Sequence, residues 1–116
     1  MDNSSLDGWA TELRNGVLPL AILAQLKSPQ YSSSLIQLLE QRGLLLDPGD
    51  LPPLLRRLEK QKLLTGSWDK TGSRPRKYYA LSEAGVKALD QLNSDWQSVT
   101  KELELLLDGG DSHETD

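Results

Sequence analysis

The residues of this chain best suited to chemistry are its cations. Arg56, Arg57 and Lys60 recur at a spacing that gathers them on one side of a helix, and Arg74, Arg76 and Lys77 crowd around Pro75 a short way on. Such groups bind anions: a guanidinium matches a phosphate or a guanine edge with two parallel hydrogen bonds, and an ammonium adds a point charge. Covalent and acid–base chemistry have no comparable set. There is no cysteine, which removes disulfides, thiolate metal sites and cysteine nucleophiles together. The one histidine, His113, stands in the terminal tail and reads as a solvated residue, and no glycine-rich phosphate loop is present. Neither an enzyme nor a bound metal or cofactor is expected.

The net charge of −4 seems to oppose an anionic partner, but it is unevenly spread. Residues 1–48 hold three bases and five acids, residues 49–80 eight bases and three acids, and residues 81–116 two bases and nine acids. The local balances are thus −2, +5 and −7. Phosphates respond to charge within about a Debye length, roughly 8 to 10 Å, so the middle third can bind nucleic acid while the remainder resists nonspecific adhesion.

Two elements must position these cations. Gly49-Asp50-Leu51-Pro52-Pro53 writes the start of a helix, with Asp50 as its cap and prolines in the first turn. Leu51, Leu54, Leu55 and Leu58 then form a single apolar stripe, leaving Arg56, Arg57 and Lys60 facing outward. Downstream, Lys62 to Asp69 reads as a strand, Lys70-Thr71-Gly72-Ser73 as a turn, and Tyr78 to Leu81 as a returning strand in which both tyrosines pack beneath the hairpin. Ser82 caps the next helix, with Glu83 in its first turn. A basic hairpin running into a capped helix is the layout of the wing of a winged helix-turn-helix, although three cations alone also suit a solvated hairpin tip.

The remaining chain supplies core and partner surface. Trp9, Leu13 and the run Val17 to Leu26 predict a helix near residues 6–15, continuous with or kinked into a second that reaches Lys27, with Pro19 in its first turn. Ser28-Pro29-Gln30 stops it. Tyr31 to Glu40 opens another helix, burying Leu35, Ile36, Leu38 and Leu39, and its Ser32 and Ser33 can serve either as caps or as phosphate contacts. Gly43 to Gly49 is a connector packed on the core. From Leu89 the apolar residues Leu92, Trp96, Val99, Leu103 and Leu106 alternate spacings of three and four, a seam that asks for a facing helix. Asp108-Gly109-Gly110 should end that helix, and the acidic tail beyond should be disordered. No segment approaches the roughly twenty apolar residues of a membrane span, so a cytoplasmic protein is expected.

The leucine helix with outward arginines, followed by Arg74-Pro75-Arg76-Lys77-Tyr78-Tyr79 and Ser82-Glu83-Ala84-Gly85, strongly resembles the PadR family of prokaryotic transcriptional regulators, from about Leu13 to Trp96. The wing segment is specific; the leucine helix alone is not. The resemblance implies a mainly α fold with a small two-stranded β wing. A winged helix-turn-helix occupies residues 1–81, a dimerisation helix residues 82–107 and a disordered acidic tail residues 108–116. It further implies a dimeric repressor on a palindromic double-stranded DNA operator. Ser32, Ser33, Asp50, Pro52, Pro53, Arg56, Arg57, Lys60, Arg74, Arg76 and Lys77 would face the DNA, and Trp9, Leu13, Leu89, Leu92, Trp96, Val99, Leu103 and Leu106 the second subunit. Some members of the family sense phenolic acids or drugs in the dimer interface, which makes Trp96 the candidate platform for a small aromatic or apolar effector. The chain departs from the family where relatives read Gly-Thr-Leu-Tyr-Pro and it reads Gly49-Asp50-Leu51-Pro52-Pro53. The departure changes operator preference or, alternatively, leaves a winged-helix protein-interaction module whose DNA binding is weakened or lost.

Overall fold

The apolar N-terminal third folds as one helix, α1 (Asn3–Gln25), in a computed structural model that describes residues 3–44 and 46–112. Pro19 lies inside it without breaking it. Side chains are described for residues 6–44 and 46–108, so Leu45 of the connector, His113 and the end of the acidic tail lie outside the described residues. After α1 come a two-residue strand β1 (Gln30–Tyr31), α2 (Ser32–Gln41), a 3-10 turn (Pro48–Asp50) and α3 (Leu51–Lys60). The hairpin β2 (Leu64–Asp69) and β3 (Arg76–Leu81) follows, and α4 (Glu83–Ser112) closes the chain.

The core is leucine apart from Ile22 and Tyr79, as the absence of phenylalanine requires. α1 contributes Leu18, Ile22 and Leu23, the turn after it Leu26, α2 Leu35 and Leu39, α3 Leu51, Leu55 and Leu58. Leu64, Tyr79 and Leu89 close it from the hairpin and the first turns of α4. In α2 and α3 the residues at half-helical intervals from this stripe, Ile36, Leu38 and Leu54, are half-buried, so both elements pack one face and present the other.

The expected two-stranded wing is the β2–β3 hairpin, and a strand not expected from the sequence joins it: β1 pairs antiparallel with β3, giving a three-stranded sheet of order β1-β3-β2 with Tyr31 opposite Tyr78 and Asp69 opposite Arg76. A two-residue strand carries no local pattern, because its hydrogen bonds come from residues almost fifty positions away. The last helix, moreover, runs past Gly109-Gly110 to Ser112. Glycine ends a helix where the backbone turns to positive φ, and among the described residues that happens at Gly43 and Lys62 only.

At 30 residues α4 spans about 45 Å, and only its beginning rests on the core. The radius of gyration, 17.8 Å, exceeds the roughly 13 Å of a compact chain of this size, because the rest of α4 stands clear. Its entry is tightly fitted. The Ser82 hydroxyl donates to the Lys62 carbonyl at 2.6 Å and accepts from the Gly85 N–H at 2.9 Å, the cap expected from sequence. Gly85 itself is buried, and a Cβ there would run into the Leu63 carbonyl oxygen.

Candidate nucleic-acid interface

With Leu51, Leu55 and Leu58 turned inward, the opposite side of α3 presents Pro53, Arg56 and Lys60 in one row, flanked by Pro52 and Arg57, all exposed. The helix carries Arg57 and Lys60 in its last turn, where cations also favour the macrodipole. Asp50 does not cap it. A capping side chain accepts from the N–H of the second or third helical residue, and here these are Pro52 and Pro53, which have none. Asp47 caps instead, one step earlier: its Oδ1 accepts from the Gly49 N–H at 3.0 Å as the 3-10 turn begins. The exposed Asp50 carboxylate is left without a cap bond at the head of the outward row.

The two faces of the sheet divide the wing's cations. Successive residues of a strand point to opposite faces, so Arg76 and Lys77 cannot act side by side. Lys77 lies on the α3 side, where its Nζ donates to Glu59 Oε1 at 2.8 Å. This is the one ion pair among the described residues, and the bond raises the Lys77 pKa. The same ammonium sits 5.2 Å from the Tyr79 ring centroid and 5.8 Å from that of Trp68. Gly66 makes room for the pair: a Cβ there would stand 2.5 Å from Lys77 Cε and 2.7 Å from Glu59 Oε2.

Arg76 lies on the outer face, its guanidinium carbon 3.7 Å from the centroid of the Tyr31 ring. The Tyr31 hydroxyl donates to Asp69 Oδ2 at 2.5 Å, and the Thr71 N–H and hydroxyl donate to Oδ1 at 3.0 and 2.6 Å. These bonds, that from the Thr71 hydroxyl foremost, hold the Asp69 carboxyl down at about 2. The two tyrosines expected to pack beneath the wing divide in the same way, Tyr79 into the core and Tyr78 edge-on to Tyr31. Arg74, in the turn, is exposed.

Ser32 is half-buried and Ser33 exposed in the first turn of α2, where the N-cap residue is Tyr31 and no side chain caps the helix. Of the residues assigned to a second subunit, Leu89 belongs to the core of the single chain at 8 % exposure. Trp9, Leu13, Leu92, Trp96, Val99, Leu103 and Leu106 are all exposed. The tyrosine, the threonine and the two carboxylates that fasten the wing were absent from the sequence-derived set. The period of two in β3 was the available signal that Arg76 and Lys77 need different partners.

Residues 20–91 match the transcriptional regulator PadR-like family. The fold is similar to the crystal structure of a PadR family transcriptional regulator from Eggerthella lenta DSM 2243, at 35 % identity and a TM-score of 0.85, over 90 % of this chain and 94 % of that one. A PadR-like transcriptional regulator from Bacillus cereus strain ATCC 14579 is 30 % identical with a TM-score of 0.72, over 83 % of this chain and 96 % of that one. No curated protein matches.

Proposed function

The chain belongs to the PadR-like family of transcriptional regulators, which bind DNA and are not enzymes, and from that premise we propose that it is a dimeric repressor of a palindromic operator. The observation that carries the reading is the outward row of α3. Pro53, Arg56 and Lys60, with Arg57 beside them, project from a helix whose other side is anchored in the core. In the major groove such a row brings Arg56 to base edges, while Arg74 and Arg76 of the wing and Ser33 of α2 lie towards flanking phosphates. Asp50 at the head of the row accepts from a cytosine amine and repels phosphate, which shifts operator preference.

Dimerisation is supported by two uncovered stripes. On α1, Leu6, Trp9 and Leu13 continue helically into the half-buried Val17, Leu20 and Ala24, opposite the buried face. On α4, Leu92, Trp96, Val99, Leu103 and Leu106 form the seam. Between them a groove of about 450 Å³ is lined by the apolar Val17, Leu20, Ala21, Ala24, Leu89 and Trp96 together with Lys27, Asp90 and Asn93, room enough for a small aromatic effector beside a few polar groups. With Trp9 and Trp68 replaced by tyrosine, binding of such a compound should quench Trp96 fluorescence and weaken operator binding together.

A mobility-shift assay on the DNA just upstream of the protein's own gene, at two salt concentrations, tests the main reading. A retarded complex that weakens steeply with salt is expected. No complex even at low salt would replace the reading with that of a protein-interaction module, which the uncapped Asp50 carboxylate favours.

A further inference from the structure

Tyr31 stands where three elements meet. It ends β1, occupies the N-cap position of α2, and on the outer face of the sheet reaches past β3 to Asp69 at the far end of β2. The carboxylate is prepared for it, since Thr71 occupies Oδ1 and leaves Oδ2 to the phenol. The ring has a separate task. Arg76 lies over it at 3.7 Å, and the Tyr78 ring abuts it edge-on with centroids 5.9 Å apart. A guanidinium stacked on an aromatic face keeps its in-plane N–H groups free, so the stack restrains Arg76 without consuming its donors. The contrast with Lys77 is direct. That cation is tied up in an ion pair with Glu59 on the opposite face, whereas Arg76 is exposed, lies over the Tyr31 ring and makes no ion pair among the described residues, although the Asp69 carboxylate stands across the sheet from it, held by Tyr31 and Thr71.

We propose that Tyr31 is the positioning residue of the wing, presenting the Arg76 guanidinium to a DNA phosphate already oriented by stacking, while its hydroxyl pins the hairpin end through Asp69. The proposal rests on the DNA-binding reading above. An ordered side chain gives up less rotamer freedom on binding than a free one, so removing the ring weakens the contact without removing the charge.

The test uses the upstream DNA fragment and measures Kd across a salt series for Tyr31→Leu, Arg76→Ala and the double variant. In the unbound protein, NMR of the Arg76 side-chain N–H reports the ring current of Tyr31. Tyr31→Leu is expected to weaken binding about two- to fivefold, the worth of an exposed cation–aromatic contact. The slope of log K against log salt should stay unchanged, because the phosphate contact survives. Arg76→Ala should flatten that slope by about one, and in its background Tyr31→Leu should have no further effect. An equal loss with and without Arg76 overturns the proposal, as does an Arg76 resonance that stays in place when the ring is removed. Should Tyr31→Leu not fold, Tyr31→Phe isolates the hydroxyl, and its loss of affinity should likewise vanish in the Arg76→Ala background. If the unmodified protein binds no DNA, the positioning role falls with the DNA-binding reading, while the Arg76 resonance still reports the stack and separates the two failures.

Discussion

At the scale of single residues, the outward arginine of α3 and the tied-down groups of the wing differ in what they can discriminate. Arg56 is exposed and has no carboxylate partner among the described residues, so its donors are available to base edges. Arg56→Ala should cost about 1 to 3 kcal/mol on the operator and much less on random DNA, as measured by competition binding; equal losses on both would make it a phosphate contact. The Tyr31–Asp69 pair predicts a pH dependence of its own. The bond to Asp69 raises the Tyr31 pKa above its ordinary 10.0, so its contribution is complete below pH 10 and lost as pH rises through the folded value. Asp69 lies on the other side of its ordinary 3.8, so its contribution is present above about pH 4 and lost as pH falls toward about 2. Asp69→Asn should therefore bring the Tyr31 ionisation down toward 10.0, read as phenolate absorbance against a Tyr31→Phe control. An unchanged titration would show that the bond does not persist in solution.

At the scale of elements, α2 and α3 end by the same device with different residues. After α2, Gly43 takes φ +87°, its N–H donates to the Glu40 carbonyl at 3.0 Å, and the Leu44 N–H donates to that of Leu39 at 2.9 Å. After α3, Lys62 takes φ +65°, its N–H reaches the Glu59 carbonyl at 2.9 Å and the Leu63 N–H that of Leu58 at 3.0 Å. Both are Schellman ends, which glycine suits and a side chain opposes by roughly 1 kcal/mol. Lys62→Gly should therefore raise stability by about 0.5 to 1 kcal/mol in urea unfolding, with the m value unchanged; a loss of stability would mean the lysine side chain contributes a contact that outweighs its conformation. Gly85→Ala should do the reverse, and by more, since the added Cβ meets the Leu63 backbone rather than a side chain that can move. Thermal melting ranks the two variants.

For the whole molecule, the decisive feature is a long helix with little beneath it. Leu92, Trp96, Val99, Leu103 and Leu106 are exposed along one side of α4, and Leu6, Trp9 and Leu13 along α1, more apolar surface in continuous stripes than a lone chain usually shows. Replacing Leu92 and Val99 together by Asp should give a monomer or an unfolded chain in sedimentation. Persistence of a dimer mass would move the interface elsewhere. In the proposed dimer the two α3 helices would share one face, for which half-sites about 34 Å apart are the expected spacing.

What could be read from the chain alone was whatever depends on neighbours in sequence. The leucine stripe of α3 and the seam of α4 are helical periodicities, Ser82 is a cap written within four residues, and the local excess of cations needs only counting. The proline pair at 52–53 was equally local, and taken at its chemical value it denies Asp50 any N–H to cap. Tertiary structure alone decided the pairings across distance. Tyr31 finds Asp69 and Arg76, Glu59 finds Lys77, Gln30 and Tyr31 become a strand, and Leu89 leaves the seam for the core. Each of these depends on which residues the fold brings within reach, and a hydrogen bond or a ring stack leaves no periodic trace in a sequence because its partners need share only a place in space.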